Sequence, residues 1–146
     1  SICHNLLLAK LKAYGLSESA IQLVRSYLCE RKQRVKCNST YSDWLPVRCG
    51  VPQGSLLGPL LFNIFINDIN NTNLNISTLR LYADETTQYG PVESPAALEF
   101  LLNKDTEVLA QWFSDNFLQV NASKTQAMSL GRSQYAYVFH LNNNII

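Results

Sequence analysis

Two carboxylates stand side by side at Asp84 and Glu85, inside Tyr82-Ala83-Asp84-Glu85-Thr86. Adjacent carboxylates repel each other, a cost that is tolerable at a solvated turn or where a divalent cation neutralises both. In two-metal phosphoryl-transfer sites the ions lie roughly 3.5–4 Å apart, within reach of such a pair. On either side Leu79, Leu81 and Ala83 alternate with Arg80, Tyr82 and Asp84, the period of a half-buried strand, so the pair is expected at the tip of a β-hairpin. Taken alone, an acidic pair in a turn is most often just a solvated turn.

Two flanking segments bear on that choice. Upstream, Gly50-Val51-Pro52-Gln53-Gly54-Ser55 leads into Leu56-Leu57-Gly58-Pro59-Leu60-Leu61-Phe62. Glycine lets backbone approach a base pair or sugar closely, and Pro52 stiffens the path between Gly50 and Gly54. Gln53 offers both donors and acceptors, and Ser55 can cap the following helix. The plainer reading is a connection into a buried helix with no ligand. Downstream, Asn116-Phe117-Leu118-Gln119-Val120-Asn121-Ala122-Ser123-Lys124-Thr125 places a lysine in a polar turn, where lysine is ordinarily just exposed.

In this order and at this spacing, the three motifs resemble the reverse transcriptases of non-long-terminal-repeat, LINE-like retrotransposons, almost from Ser1 to Ile146. The resemblance implies an α+β fold, the palm of a right-hand polymerase, with a small antiparallel sheet, helices packed on one face and both ends incomplete. It makes Asp84 and Glu85 metal ligands and groups them with Lys124, near the triphosphate, as the catalytic set. Gly50, Pro52, Gln53, Gly54 and Ser55, with Tyr82 and Ala83, would meet template and incoming nucleotide. The implied cofactor is Mg2+, with Mn2+ as a substitute. The implied partners are an RNA template, a DNA primer, deoxynucleoside triphosphates and the rest of the polymerase chain.

Two departures from the family pattern qualify this. Glu85 stands where the family usually has a second aspartate, and its extra methylene moves the carboxylate about one bond outward, which magnesium's narrow octahedral geometry tolerates poorly. In the family, a segment like Ser1-Ile2-Cys3-His4-Asn5-Leu6-Leu7 directly follows the strand bearing the first metal-binding aspartate. The expectation is therefore that residues 1–146 form a partial domain, palm with a remnant of fingers, without that strand or the thumb. Such a fragment would be inactive or impaired, and the missing strand would leave an unpaired sheet edge that favours association.

Composition fits one folded domain: 146 residues, 47% hydrophobic and 16% charged. The net charge of +1 says little as a total, but Arg31, Lys32, Arg34 and Lys36 gather four of the twelve basic residues in six positions. This run reads either as a track for nucleic-acid backbone or as a strand edge guarded by cations. Cys3, Cys29, Cys37 and Cys49 have no CxxC spacing, and neither His4 nor His140 joins them in a ligand pattern. Reduced thiols, no apolar run of about 18–20 residues and no leader point to an intracellular protein, nuclear or cytoplasmic, neither secreted nor membrane-bound. The four Asn-X-Ser/Thr matches are then coincidental.

Several elements must position these residues. Apolar spacing predicts a helix over Ile2–Tyr14 stopped by Gly15, and a second capped by Ser17 with Ile21, Val24, Tyr27 and Leu28 inward. Gln33–Cys37 and Trp44–Arg48 read as strands about a turn at 38–43. A helix after Ser55 would bury Leu57, Leu60, Leu61, Ile64 and Phe65. Ser94 and Pro95 open a long amphipathic helix through Leu98, Leu101, Leu102, Val108, Leu109 and Trp112, with Asp105 as a polar interruption. Leu118–Val120, Ala127–Leu130 and Tyr135–Leu141 read as further strands. Three readings compete: a mobile-element polymerase fragment, which the ordered motifs favour; a catalytically dead relic that keeps some nucleic-acid affinity; and a globular domain with an incidental acidic turn.

Overall fold

The computed structural model describes residues 1–91, 94–131, 134–142 and 144–146. The chain divides into two compact units, Ser1–Asn67 and Asp68–Ile146.

In the first unit, α1 (His4–Ala13) packs against both α2 (Glu18–Leu28) and α3 (Leu57–Ile66). Leu7, Leu8, Leu11, Ile21, Leu28, Leu61 and Phe65 are buried there. The expected punctuation is present: Gly15 takes φ +86° after α1, and the Ser17 side chain accepts the Ala20 N–H at the start of α2. One core residue is a cation. Lys10 is buried, and its Nζ donates to the Phe65 carbonyl at 2.8 Å while lying 4.6 Å from the Phe65 ring centroid. That carbonyl is in the last turn of α3, where backbone acceptors lack intrahelical donors and cations are favoured.

The expected core stripe of α3 is corrected. Leu61 and Phe65 are buried, but Leu57 and Leu60 are exposed at 44% and 53%. The inward row is Gly58, Leu61 and Phe65, one residue along from the Leu57–Leu60–Ile64 row. Gly58 explains the rotation: a Cβ there would sit 3.0 Å from Ser55 Oγ and 3.1 Å from the Pro52 carbonyl, so this face leans directly on the preceding loop.

Between α2 and α3 runs one long hairpin of four short strands, β1 (Lys32–Gln33), β2 (Lys36–Cys37), β3 (Thr40–Tyr41) and β4 (Leu45–Pro46). Lys32 pairs with Pro46 and Gln33 with Leu45, whereas Lys36 pairs with Tyr41 and Cys37 with Thr40. The two registers differ by one residue, so the returning strand carries a β-bulge between Tyr41 and Leu45. Ser42 secures it by donating its N–H to the Val35 carbonyl and accepting the Val35 N–H on Oγ, each at 2.9 Å.

The second unit contains β5 (Thr78–Tyr82), β6 (Glu85–Tyr89), α4 (Pro95–Asp115), β7 (His140–Leu141) and β8 (Asn144–Ile145). Ser94 precedes α4 with Pro95 at its first position, but the Ser94 side chain makes no capping hydrogen bond. The expected strands at Leu118–Val120 and Ala127–Leu130 are absent, and only a 3-10 turn, Ala122–Lys124, is formed there. Of Tyr135–Leu141, only the last two residues pair as strand. The preceding backbone is held by α4 side chains instead: the Val138 N–H donates to Glu99, the Val138 carbonyl accepts from Asn103 Nδ2, and the His140 N–H donates to Asn103 Oδ1. Side chains have taken the ladder's place.

Among the described residues all strand pairing is antiparallel, in four two-stranded ladders rather than the single sheet expected. Helices and small antiparallel ladders make an α+β fold. Among the described residues no helix is long and apolar enough to cross a membrane.

Candidate functional site

The acidic pair lies on the β5–β6 hairpin, as its alternation predicts. Tyr82 pairs with Glu85, leaving Ala83-Asp84 as a two-residue loop. A hairpin loop this short needs positive φ to match the twist of its strands, usually supplied by glycine. Here Ala83 supplies it at φ +50°, which costs about 1–2 kcal/mol for a residue with Cβ. Ala83 therefore leaves the inward row that Leu79 and Leu81 keep. Asp84 occupies the loop, Glu85 begins β6 on the solvent side, and both are exposed beside Tyr82, itself 81% exposed.

α4 anchors the base of this hairpin, at the end opposite the tip. Asp105, fully buried, accepts five hydrogen bonds from the segment entering β5: the Asn75, Ile76 and Ser77 N–H groups, Asn75 Nδ2 and Ser77 Oγ, at 2.6–3.1 Å. Burial by itself would raise the Asp105 pKa, but the Asn75, Ser77 and Ile76 donors outweigh it and bring it down from 3.8 to about 2. On the other strand, Gln88 Nε2 donates to Ser77 Oγ at 2.8 Å and to the Leu102 carbonyl at 3.2 Å, while its Oε1 accepts from Thr106 Oγ1 at 3.0 Å. The segment entering β5 and the far end of β6 are thus tied to one helix. Sequence reading left Asp105 as an interruption in an apolar stripe. Its signal was available: the positions three and four away are Leu101, Leu102, Val108 and Leu109, so a buried carboxylate there must find donors outside its own helix.

Lys124 ends the 3-10 turn after α4 and is exposed. The turn is closed through Asn121, whose carbonyl accepts from the N–H groups of Lys124 and Thr125 and whose Oδ1 accepts from Ser123 Oγ. Lys124 and the acidic pair thus stand on separate turns of the second unit.

The Gly50–Ser55 loop belongs to the first unit. Gly50 is fixed from both sides, its N–H donating to the Ile2 carbonyl and its carbonyl meeting His4 Nε2, each at 2.7 Å. His4 is therefore structural. Pro52 to Ser55 form a turn with Gly54 at φ +74° in its third position, as a type II turn requires. Ser55 Oγ donates to the Pro52 carbonyl and accepts the Gly58 N–H, joining turn to helix as expected. Gln53 and Gly54 are the exposed apex.

The basic run divides by side. Lys32, Arg34 and Lys36 are exposed in alternate positions of the long hairpin, whereas Arg31 is half-buried. Arg31 lines a cleft of about 680 Å³ with Cys3, His4, Cys29 and Arg48. Its Nη1 is buried without a hydrogen-bond partner among the described residues.

Among the described residues no group of three or more His, Cys, Asp or Glu side chains is placed to share a metal. The carboxylate oxygens of Asp84 and Glu85 are of the donor type magnesium takes, but two side chains are fewer than its octahedral geometry needs.

The profile of the family described as Reverse transcriptase (RNA-dependent DNA polymerase) matches residues 1–139. The chain is 31% identical over 111 residues to the RNA-directed DNA polymerase from mobile element jockey of Drosophila melanogaster, covering 70% of this chain and 12% of that protein. It is 32% identical over 133 residues to the jockey polymerase of Drosophila funebris, covering 84% of this chain and 14% of that protein. It thus spans about an eighth of the length of these relatives. No solved structure matches it significantly. A profile match over nearly the whole chain, carrying the acidic hairpin, the glycine-rich loop and the lysine turn in order, means that the chain belongs to the reverse transcriptase family.

Proposed function

We propose that this chain is part of a mobile-element RNA-directed DNA polymerase, its palm with a small part of the fingers, and that Asp84 and Glu85 are metal ligands of its nucleotidyl-transfer site. The observation that carries the reading is the acidic tip itself: Asp84 in a strained two-residue loop and Glu85 next to it at the start of β6, on a hairpin whose base is bonded to α4. Fixing the hairpin's base limits how far its tip can swing, which a ligand pair requires and a solvated turn does not.

In the reaction a primer 3′-oxygen bonds to the α-phosphorus of a deoxynucleoside triphosphate, the bond to the β-phosphate breaks, and pyrophosphate leaves. Magnesium or manganese, when bound, would supply charge neutralisation for this transfer. Asp84 and Glu85 contribute carboxylate oxygens to hold it, and Lys124 neutralises or protonates the departing pyrophosphate. Gly50, Pro52, Gln53, Gly54 and Ser55, with Tyr82 and Ala83, border the template and incoming nucleotide. Lys32, Arg34 and Lys36 contact phosphates of the RNA template or DNA primer. The remaining metal donors come from the rest of a longer polymerase.

Glu85 gives a second reading specific support. A glutamate where the family usually has aspartate sets the carboxylate outward, as in a relic that binds nucleic acid without extending a primer. The experiment is Glu85→Asp in a longer, folded polymerase carrying this segment, assayed by primer extension. A gain larger with magnesium than with manganese is expected. No gain with either metal would overturn the reading that Glu85 impairs the site.

A further inference from the structure

The bulge in the long hairpin has a consequence for its side chains. Side chains alternate along a strand, so Tyr41 and Trp44, three positions apart, would ordinarily face opposite sides. The extra residue reverses the alternation between them, and both rings reach Arg34. Its guanidinium carbon lies 4.0 Å from the Tyr41 ring centroid and 4.6 Å from that of Trp44. Lys36 Nζ lies 5.5 Å from the same Tyr41 ring. Lys32, Arg34 and Lys36 share this side of the outgoing strand, and Asp43 is the one carboxylate between Lys32 and Pro46. The rings remain open to solvent, Tyr41 at 47% and Trp44 at 56%.

We propose that this side of the hairpin is a stacking platform for single-stranded nucleic acid, with bases on Trp44 and Tyr41 and phosphates against Lys32, Arg34 and Lys36. The proposal rests on the nucleic-acid reading above and adds a base-contacting site to it. Exposed aromatics interleaved with cations fit an unpaired strand, which offers ring faces and phosphates together. A duplex keeps its bases stacked and presents phosphates and groove edges but not ring faces. Arg34, bracketed by two rings, is held in place before any ligand arrives, which lowers the entropy cost of binding. The bulge sets the spacing of the platform and Ser42 locks the bulge.

The test uses the 146-residue chain, in EDTA and without nucleotide, with fluorescein-labelled 12-mers of oligo(U), oligo(dT) and a duplex of the same length. Trp44→Ala should weaken single-strand binding about 5- to 150-fold, the range of one lost stacking partner, and change duplex binding less than about twofold. Trp44→Phe should restore it to within about threefold. Oligo(U) and oligo(dT) should bind within about threefold of each other, because neither stacking nor phosphate contact reads the 2′-hydroxyl. Lys36→Ala should lower the slope of log affinity against log salt by about 0.7. On the unaltered chain, 5-iodouridine RNA should photocrosslink at Tyr41 or Trp44. Unchanged single-strand affinity in Trp44→Ala, crosslinks only elsewhere, or no oligonucleotide binding by the folded chain at low salt would each overturn the platform. So would self-association abolished by Trp44→Ala, which would assign the rings to a second copy. Metal-free binding is read independently of primer extension, so failure of the platform and failure of the acidic site are separable.

Discussion

Replacing Asp105 with asparagine tests whether α4 positions the acidic hairpin. The five hydrogen bonds to Asp105 come from backbone and side-chain donors of Asn75–Ser77, directly before β5. They stabilise the ionised carboxylate and hold its pKa at about 2 against an ordinary 3.8. At 1.36 kcal/mol per pH unit, that interval corresponds to about 2 kcal/mol of folding stability. Asparagine keeps the shape but points an NH2 group at donors, adding the cost of unmet N–H groups, about 1–3 kcal/mol. Asp105→Asn should therefore lose about 3–5 kcal/mol in urea unfolding at pH 7, and the amides of Ile76 and Ser77 should lose hydrogen-exchange protection. Because the folded pKa lies below the unfolded one, the carboxylate's contribution is complete above about pH 4 and is lost as pH falls through about 2. The parent should weaken across that window more steeply than the variant. A variant within about 0.5 kcal/mol of the parent, or one with the same acid dependence, would refute the reasoning.

Three further expectations concern single side chains. Ala83→Gly relieves positive φ in the acidic loop at some backbone-entropy cost, and should stabilise the hairpin by about 0.5–1 kcal/mol in urea unfolding. A destabilised glycine variant would argue against strain at Ala83. Lys10→Met keeps the apolar stem but removes the donor to the Phe65 carbonyl, and should cost about 1–3 kcal/mol by the same assay. An unaffected midpoint would mean that the buried cation contributes nothing net. In an active longer polymerase, Lys124→Ala should slow nucleotide addition about 10²-fold while leaving stability unchanged, since the residue is exposed. An unchanged rate would exclude it from the chemistry.

Most local structure was legible in the chain because it obeys local rules. Period-2 alternation marked β5 and with it the hairpin, and the 3.6-residue period marked α1, α2 and α4. Gly15, Ser17 and Ser55 acted as the stops and caps their chemistry favours. The order of three motifs already pointed to the family, since identity and spacing are properties of sequence alone. Four outcomes were decided only by tertiary contact. The buried face of α3 turned on how closely Gly58 could approach the preceding loop. The backbone before β7 gave up a ladder because Glu99 and Asn103 satisfied its hydrogen bonds. Tyr41 and Trp44 share Arg34 because of one inserted residue, whose effect depends on the register of the opposite strand. Asp105 grips the start of β5 across about thirty residues of chain. Periodicity reports which way a side chain points relative to its own element; which partner it meets depends on contacts between segments far apart in sequence, and those exist only once the chain has folded.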